Sequence, residues 1–157
     1  MSSARRALSD AALMSEYLWM RHEFPWLGQG FIHAVADDHA LQLVDDLDAR
    51  GCRVITLRGE EMATPHSFWT EIKTAFEFPD YFGSNWDAFN DSFGDLELGT
   101  RTVVLWRRAD LVAQMSLKLF AEGIAVLHRT ATAMDEVEQK QLIIVLSGEG
   151  ESFTTPE

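Results

Sequence analysis

The sequence predicts a small α/β domain built on a three-stranded parallel sheet, and three observations carry that prediction. Compact β-branched runs at 53–57 ("RVITL"), 102–106 ("TVVLW") and 142–146 ("LIIVL") read as buried strands. Stretches with helical spacing of apolar residues lie between them. Strands alternating with helices need crossover connections, which makes the sheet parallel. A further run, "FIHAV" at 31–35, is a candidate fourth strand. No internal repeat or linker is visible in the 157 residues, a length that suits one domain with a modest core. The expected organisation is an N-terminal extension at 1–30, one domain at 31–147 and a disordered tail at 148–157.

In the N-terminal extension, "SDAALMSEYLWM" is a candidate helix capped by Ser9, and "FPWLGQG" breaks regularity with Pro25, Gly28 and Gly30. Its aromatics Trp19, Phe24 and Trp26 are expected to fold back on the main body. The segment 37–51 predicts an amphipathic helix, since Ala40, Leu43, Val44 and Leu47 share a face and Gly51 can end it. After the strand at 53–57, Gly59 turns the chain. Thr64 and Pro65 then open a helix over 64–78 that buries Phe68, Trp69, Ile72, Ala75 and Phe76 and stops at Pro79. A long helical region from about Asp110 to Thr130 follows the second strand, with Gly123 as a possible interruption. Residues 130–141 read as a polar, partly helical connection to the last strand. His33 and His128 are expected to be structural, and Arg107 and Arg108 to stay solvated.

The formal net charge is −12, a field that repels nucleic acid and anionic membranes and attracts cationic partners. A single cysteine, Cys52, allows no internal disulfide and favours a reducing compartment. It is expected to pack as a small apolar residue. No stretch reads as a signal peptide, because Asp10, Ser15 and Glu16 interrupt the run after Arg5 and Arg6. The apolar runs are too short to span a bilayer, so the expected location is the cytoplasm.

The most informative stretch is "PDYFGSNWDAFNDSFGDLE" at 79–97, with five acidic side chains and no basic one. At 100° per residue, Trp86, Phe89, Phe93 and Leu96 fall in one sector, and Asp87, Asp91 and Asp95 fall opposite. Gly83 permits a tight turn before this helix, and Ser84 or Asn85 can cap it. Of the two aromatics before Gly83, Phe82 is the expected packed one, leaving Tyr81 outside. Like charges four residues apart cost about 0.2–0.5 kcal/mol per pair. A solvated face can tolerate that cost. A functional ridge would instead meet a cation, and three chemistries are open: a divalent metal held with further oxygen ligands, paired-carboxylate catalysis, or a basic protein surface. No second acidic motif completes a metal cage, and no cofactor-binding motif is present.

At these residues the sequence resembles the barstar family, intracellular inhibitors of barnase-type ribonucleases. The run "PDYFGSNWDAFNDSF" follows the family's order of proline, acid, two aromatics, glycine, asparagine and aspartate–alanine, with a further aspartate four residues on. "VITLRGEEM" at 54–62 resembles the family's first strand and turn. The strand ending at Trp106 and the final "LIIVLS" fall where the family places its other strands. The resemblance covers about residues 53–147.

The resemblance implies a binding protein rather than an enzyme: a ribonuclease inhibitor, or an immunity protein against a nuclease toxin domain. It would plug a basic active site with its acidic helix, the aspartates taking the place of RNA phosphate. Asp91 would be the main anchor for the enzyme's catalytic arginines and histidine, and Asp87 would meet a further arginine or backbone group. Tyr81 would lie against the catalytic histidine, with Gly83 and Asn85 shaping the loop. Asn90 and Asp95 complete the expected partner-binding set. The sequence also departs from the family: Asn90 and Leu96 stand at tryptophan positions, and Ser92 at a cysteine position. An acidic contact before the last strand has only Asp135, Glu136 or Glu138 as stand-ins. Two alternatives accompany this reading: a carboxylate-based metal site or metal-dependent hydrolase, and a general protein-interaction module.

Overall fold

The computed structural model describes residues 31–153. The expectations for residues 1–30 and for 154–157 lie outside them. The described chain runs β1 (Ile32–Ala36), α1 (Asp37–Ala49), β2 (Arg53–Arg58), a 3₁₀ turn (Gly59–Glu61), α2 (Pro65–Ala75), α3 (Trp86–Gly94) and β3 (Arg101–Arg107). It continues through α4 (Ala109–Met115), α5 (Leu117–Ala133), a π-helical turn (Met134–Glu138) and β4 (Gln141–Gly148).

All strands are parallel, in the order β1-β4-β3-β2, so the candidate strand near 31–35 forms and the sheet has four strands. β4 lies in the interior and is buried at every position, which explains its unbroken apolar run. Alternation along β3 and β4 sorts the core into two layers. Val103, Leu105, Ile143 and Val145 face α1, against Leu43 and Leu47. Val104, Trp106, Leu142 and Ile144 face the other side, which carries the larger, aromatic-rich core. Among the described residues α1 is the helix that covers the first face, because β1 and β2 lie at opposite edges and α1 must cross the whole sheet to join them.

Three boundaries differ from the sequence expectation. α2 ends at Ala75, before Pro79. Glu77 adopts a left-handed conformation, with φ of 56°. The Phe78 N–H then donates to the Lys73 carbonyl and the Glu77 N–H to the Thr74 carbonyl. This is the glycine-type helix stop made by a glutamate, and it turns Phe78 inward, where it stacks on Phe76. The long helix breaks at Ser116, not Gly123: Ser116 is extended, and its hydroxyl caps α5 by accepting from the Leu119 N–H. Gly123 lies buried inside α5, where an added Cβ would come within 3.0 Å of the Trp106 ring. At the C-terminus, residues expected to belong to a disordered tail form a turn after β4, and Phe153 packs against the core.

Candidate functional site

The acidic stretch is positioned by its own capping and by an aromatic floor. Asn85 is the N-cap of α3: its Oδ1 accepts from the Ala88 N–H at 2.8 Å, and its Nδ2 donates to the Gly83 carbonyl at 3.1 Å. The left-handed residue of the preceding turn is Ser84, with φ of 55°. Beneath the helix, Phe89 and Phe93 stack on each other and meet Phe76 edge-on, with Phe78 against Phe89. Trp86 packs on Trp69 at 4.6 Å between ring centroids. Aromatic pairs in these geometries add roughly 0.5–1.5 kcal/mol beyond area burial. They fix the roll of α3, and the opposite face must therefore point outward.

That face carries Asp87, Asn90 and Asp91, all exposed. Among the described residues, no ion pair or side-chain hydrogen bond engages Asp87, Asp91 or Asp95. Asp95 is also exposed, but it is the C-cap of a helix that ends at Gly94, so it sits one residue beyond the helix proper. Tyr81 is 84% exposed while its neighbour Phe82 is buried, packed on Phe78 and Trp69. A tyrosine held in water beside packed aromatics offers a ring face and a hydroxyl to a partner at little ordering cost. Tyr81, Gly83, Asn85 and the two α3 aspartates thus lie on one continuous loop-and-helix element. Asp80, next to Tyr81, meets Lys73 at 3.5 Å but stays fully exposed.

The acids before β4 lie across the surface from α3. Asp135 is partly buried in the π-helical turn, Glu136 is exposed, and Glu138 approaches Lys140 at 3.9 Å. Glu138 and Asn90 line a common cleft of about 490 Å³ between α3 and the end of α5. The floor is apolar, with Phe93, Leu98 and Met134, and Leu96 stands at its α3 side.

A second polar cluster gathers at the carboxyl ends of the strands, and the sequence did not reveal it. Arg107 and Arg108 are paired, contrary to the expectation that they stay solvated. Arg107 Nη2 donates to Asp37 at 3.1 Å, and Asp37 also accepts from the buried Ser147 hydroxyl at 2.7 Å. Arg108 donates to both oxygens of Asp110, at 3.0 and 3.1 Å. Burial raises the pKa of Asp110, but the hydrogen bonds and charge of Arg108 outweigh it and hold the carboxyl below its ordinary range. Glu71, only 5% exposed, chelates the Arg58 guanidinium and accepts from the Arg58 N–H at 2.8 Å. The signal for this cluster was an arginine closing each of two strands, readable only once the strand ends were known to meet.

Among the described residues, no group of three or more His, Cys, Asp or Glu side chains is placed to hold a metal ion. Nor is any helix there long and apolar enough to cross a membrane. Cys52 is buried under α1, and burial pushes its thiol up to about 11, against the weaker pull of Arg101 and Arg50.

The structure defines a four-stranded parallel α/β protein with an exposed acidic helix seated on aromatic rings. A family model described as Barstar (barnase inhibitor) matches residues 52–147, and the chain belongs to that family. The family is one of inhibitors, which gives the chain a protein-interaction role. No curated protein matches the sequence. Among solved structures, a chain in the structure of Drosophila ORC bound to AT-rich DNA and Cdc6 is similar at 13% identity, with a TM-score of 0.49. That match covers 95% of this chain and 51% of the other, so this chain spans about half its length. A likeness that remote carries no argument about function.

Proposed function

We propose that the protein inhibits a barnase-type ribonuclease, or a nuclease toxin domain with a similarly basic active site, by seating α3 and the preceding loop in that site. The observation that carries the reading is the state of Asp87 and Asp91. Both are exposed on a helix fixed by its aromatic underside, and among the described residues neither is neutralised by a cation of its own chain. In a ribonuclease pocket shaped for phosphate, the carboxylates take up the arginine and histidine donors that would otherwise hold the RNA backbone. Asp91 is the central anchor and Asp87 the flanking one. Tyr81 lies over the catalytic histidine, and Asn85 and Gly83 hold the loop. The net charge of −12 adds a long-range field that steers a basic enzyme toward this face.

The test is inhibition of RNA hydrolysis by purified barnase and by basic nuclease toxin domains. Wild-type protein should titrate at least one of these enzymes to inactivity near equimolar ratio. The Asp87→Ala/Asp91→Ala double variant should fold normally and fail to inhibit. Equal inhibition by the double variant would overturn the reading, as would the absence of inhibition across the panel at large excess of wild type.

A further inference from the structure

The cleft between α3 and the end of α5 differs in chemistry from the ridge beside it. Its floor and walls are apolar: Phe93, Leu96 and Leu98 from the α3 side, Ala133, Met134 and Val137 from the other. Val137, at its outer edge, is 81% exposed and extends the apolar lining to the surface. Its charged rim carries Arg129, Glu138 and Lys140, a small cationic excess in a protein of net charge −12. Among the described residues the Arg129 guanidinium has no hydrogen bond or ion pair, and Lys140 reaches only Glu138, at 3.9 Å. The cleft continues directly from the proposed inhibitory face, since Asn90 lines it and is the immediate neighbour of Asp91 on α3. Its volume, about 490 Å³, accommodates a large side chain with room to spare.

Resting on the inhibitor reading above, we infer that this cleft is a second anchor point for the same enzyme. It receives one aromatic or large aliphatic side chain of the nuclease, with a carboxylate of the nuclease set beside it over Arg129. The target therefore combines a basic active site with an apolar–acidic pair on the adjoining surface. A purely basic surface would meet Arg129, unpaired among the described residues, with repulsion, so the cleft discriminates among basic nucleases that the ridge alone would accept.

The chemistry is tested by titrating isotope-labelled full-length protein with indole-3-propionate, which joins an aromatic ring to a carboxylate, and with tryptamine, which joins the same ring to a cation. Amide shifts should concentrate at Leu96, Ala133 and Val137. Indole-3-propionate should bind up to about fivefold more tightly than tryptamine, the upper range for one solvent-exposed ion pair. Arg129→Glu should reverse that order. Ala133→Trp, at an exposed helix position, should abolish both titrations and weaken inhibition of the susceptible nuclease by about tenfold or more. The Asp87→Ala/Asp91→Ala variant should lose inhibition yet keep the indole titration, which separates failure of the cleft from failure of the ridge. The inference is overturned by tryptamine binding as well as indole-3-propionate, by shifts lying elsewhere, or by no binding at all. It is equally overturned by undiminished inhibition from Ala133→Trp, or by a dimer that Ala133→Trp dissociates.

Discussion

The Asn85 side chain accepts a hydrogen bond from the Ala88 N–H at 2.8 Å, and this contact fixes where α3 begins. One residue earlier Ser84 is left-handed, and two residues later Asp87 stands in the first turn, where the helix dipole favours its charge. The cap thus links loop conformation to the direction in which the acidic face points. Replacing Asn85 with Ala removes the acceptor and leaves an N–H of the first turn unpaired. Such losses cost about 1 kcal/mol. The expected outcome is a modest drop in urea midpoint together with faster amide exchange at Trp86 to Phe89, read by hydrogen-exchange mass spectrometry.

Asp91→Ala should do the opposite to stability. It deletes a carboxylate that has no partner among the described residues, and it relieves the like charge four residues away at Asp87. The relief amounts to about 0.2–0.5 kcal/mol. Calorimetry should show an unchanged or slightly raised Tm. Binding to a susceptible nuclease should weaken by about 3–5 kcal/mol, because the enzyme's cations would be left buried without a counter-charge.

Gly59→Ala probes how the strand ends are packed. A Cβ at Gly59 would run into the backbone carbonyl oxygens of Arg107 and Arg108, which no side-chain rearrangement can move aside. Overpacking against backbone falls at the severe end for point substitutions, about 3 kcal/mol or more. Chemical denaturation should show a large loss for Gly59→Ala and none comparable for Gly99→Ala, where the space is open.

The Arg108–Asp110 pair makes stability pH-dependent. The folded-state pKa of Asp110 lies below its ordinary 3.8, so the unfolded chain binds the proton more readily than the native one. Stability from this group is therefore complete above 3.8 and drains away as pH falls through the lower folded value. Asp110→Asn should be less stable than wild type by a constant amount near neutral pH. In acid denaturation series the gap should narrow only below 3.8.

Cys52 should react sluggishly. Its side chain is 4% exposed and its thiol is pushed up to about 11, so little thiolate exists at neutral pH and little of it is accessible. Thiol-reagent labelling should proceed at the rate of unfolding in native buffer, and at once in denaturant. Fast labelling of the native protein would contradict the packing of Cys52 under α1.

Much of the local geometry of α3 was legible in the sequence. The sector arithmetic that set Phe89 and Phe93 against Asp87 and Asp91 depends on helical pitch alone, and burial follows it. Asn85 was one of two candidate caps because both it and Ser84 precede the helix with the right chemistry. Geometry chose Asn85 and gave Ser84 the left-handed position of the turn. The early end of α2 was not legible, since a glutamate at the left-handed position is an uncommon way to stop a helix. Ser116 ended α4 and capped α5 within a run of helical spacing that hid the break. Asp95 was read as the third member of a ridge, yet the helix stops one residue short of it.

The sequence alone determined the type and order of the elements and the two-sided character of α3, because those follow from periodicities that act over a few residues. Tertiary structure decided everything that joins distant positions: the place of β4 between β1 and β3, the pairing of Asp37 with Ser147 and Arg107, and the cleft that sets Asn90 across from Arg129. Strand order and register bring these groups together. They are fixed by how two core layers bury their apolar faces at once, a condition on the whole chain that no local window contains.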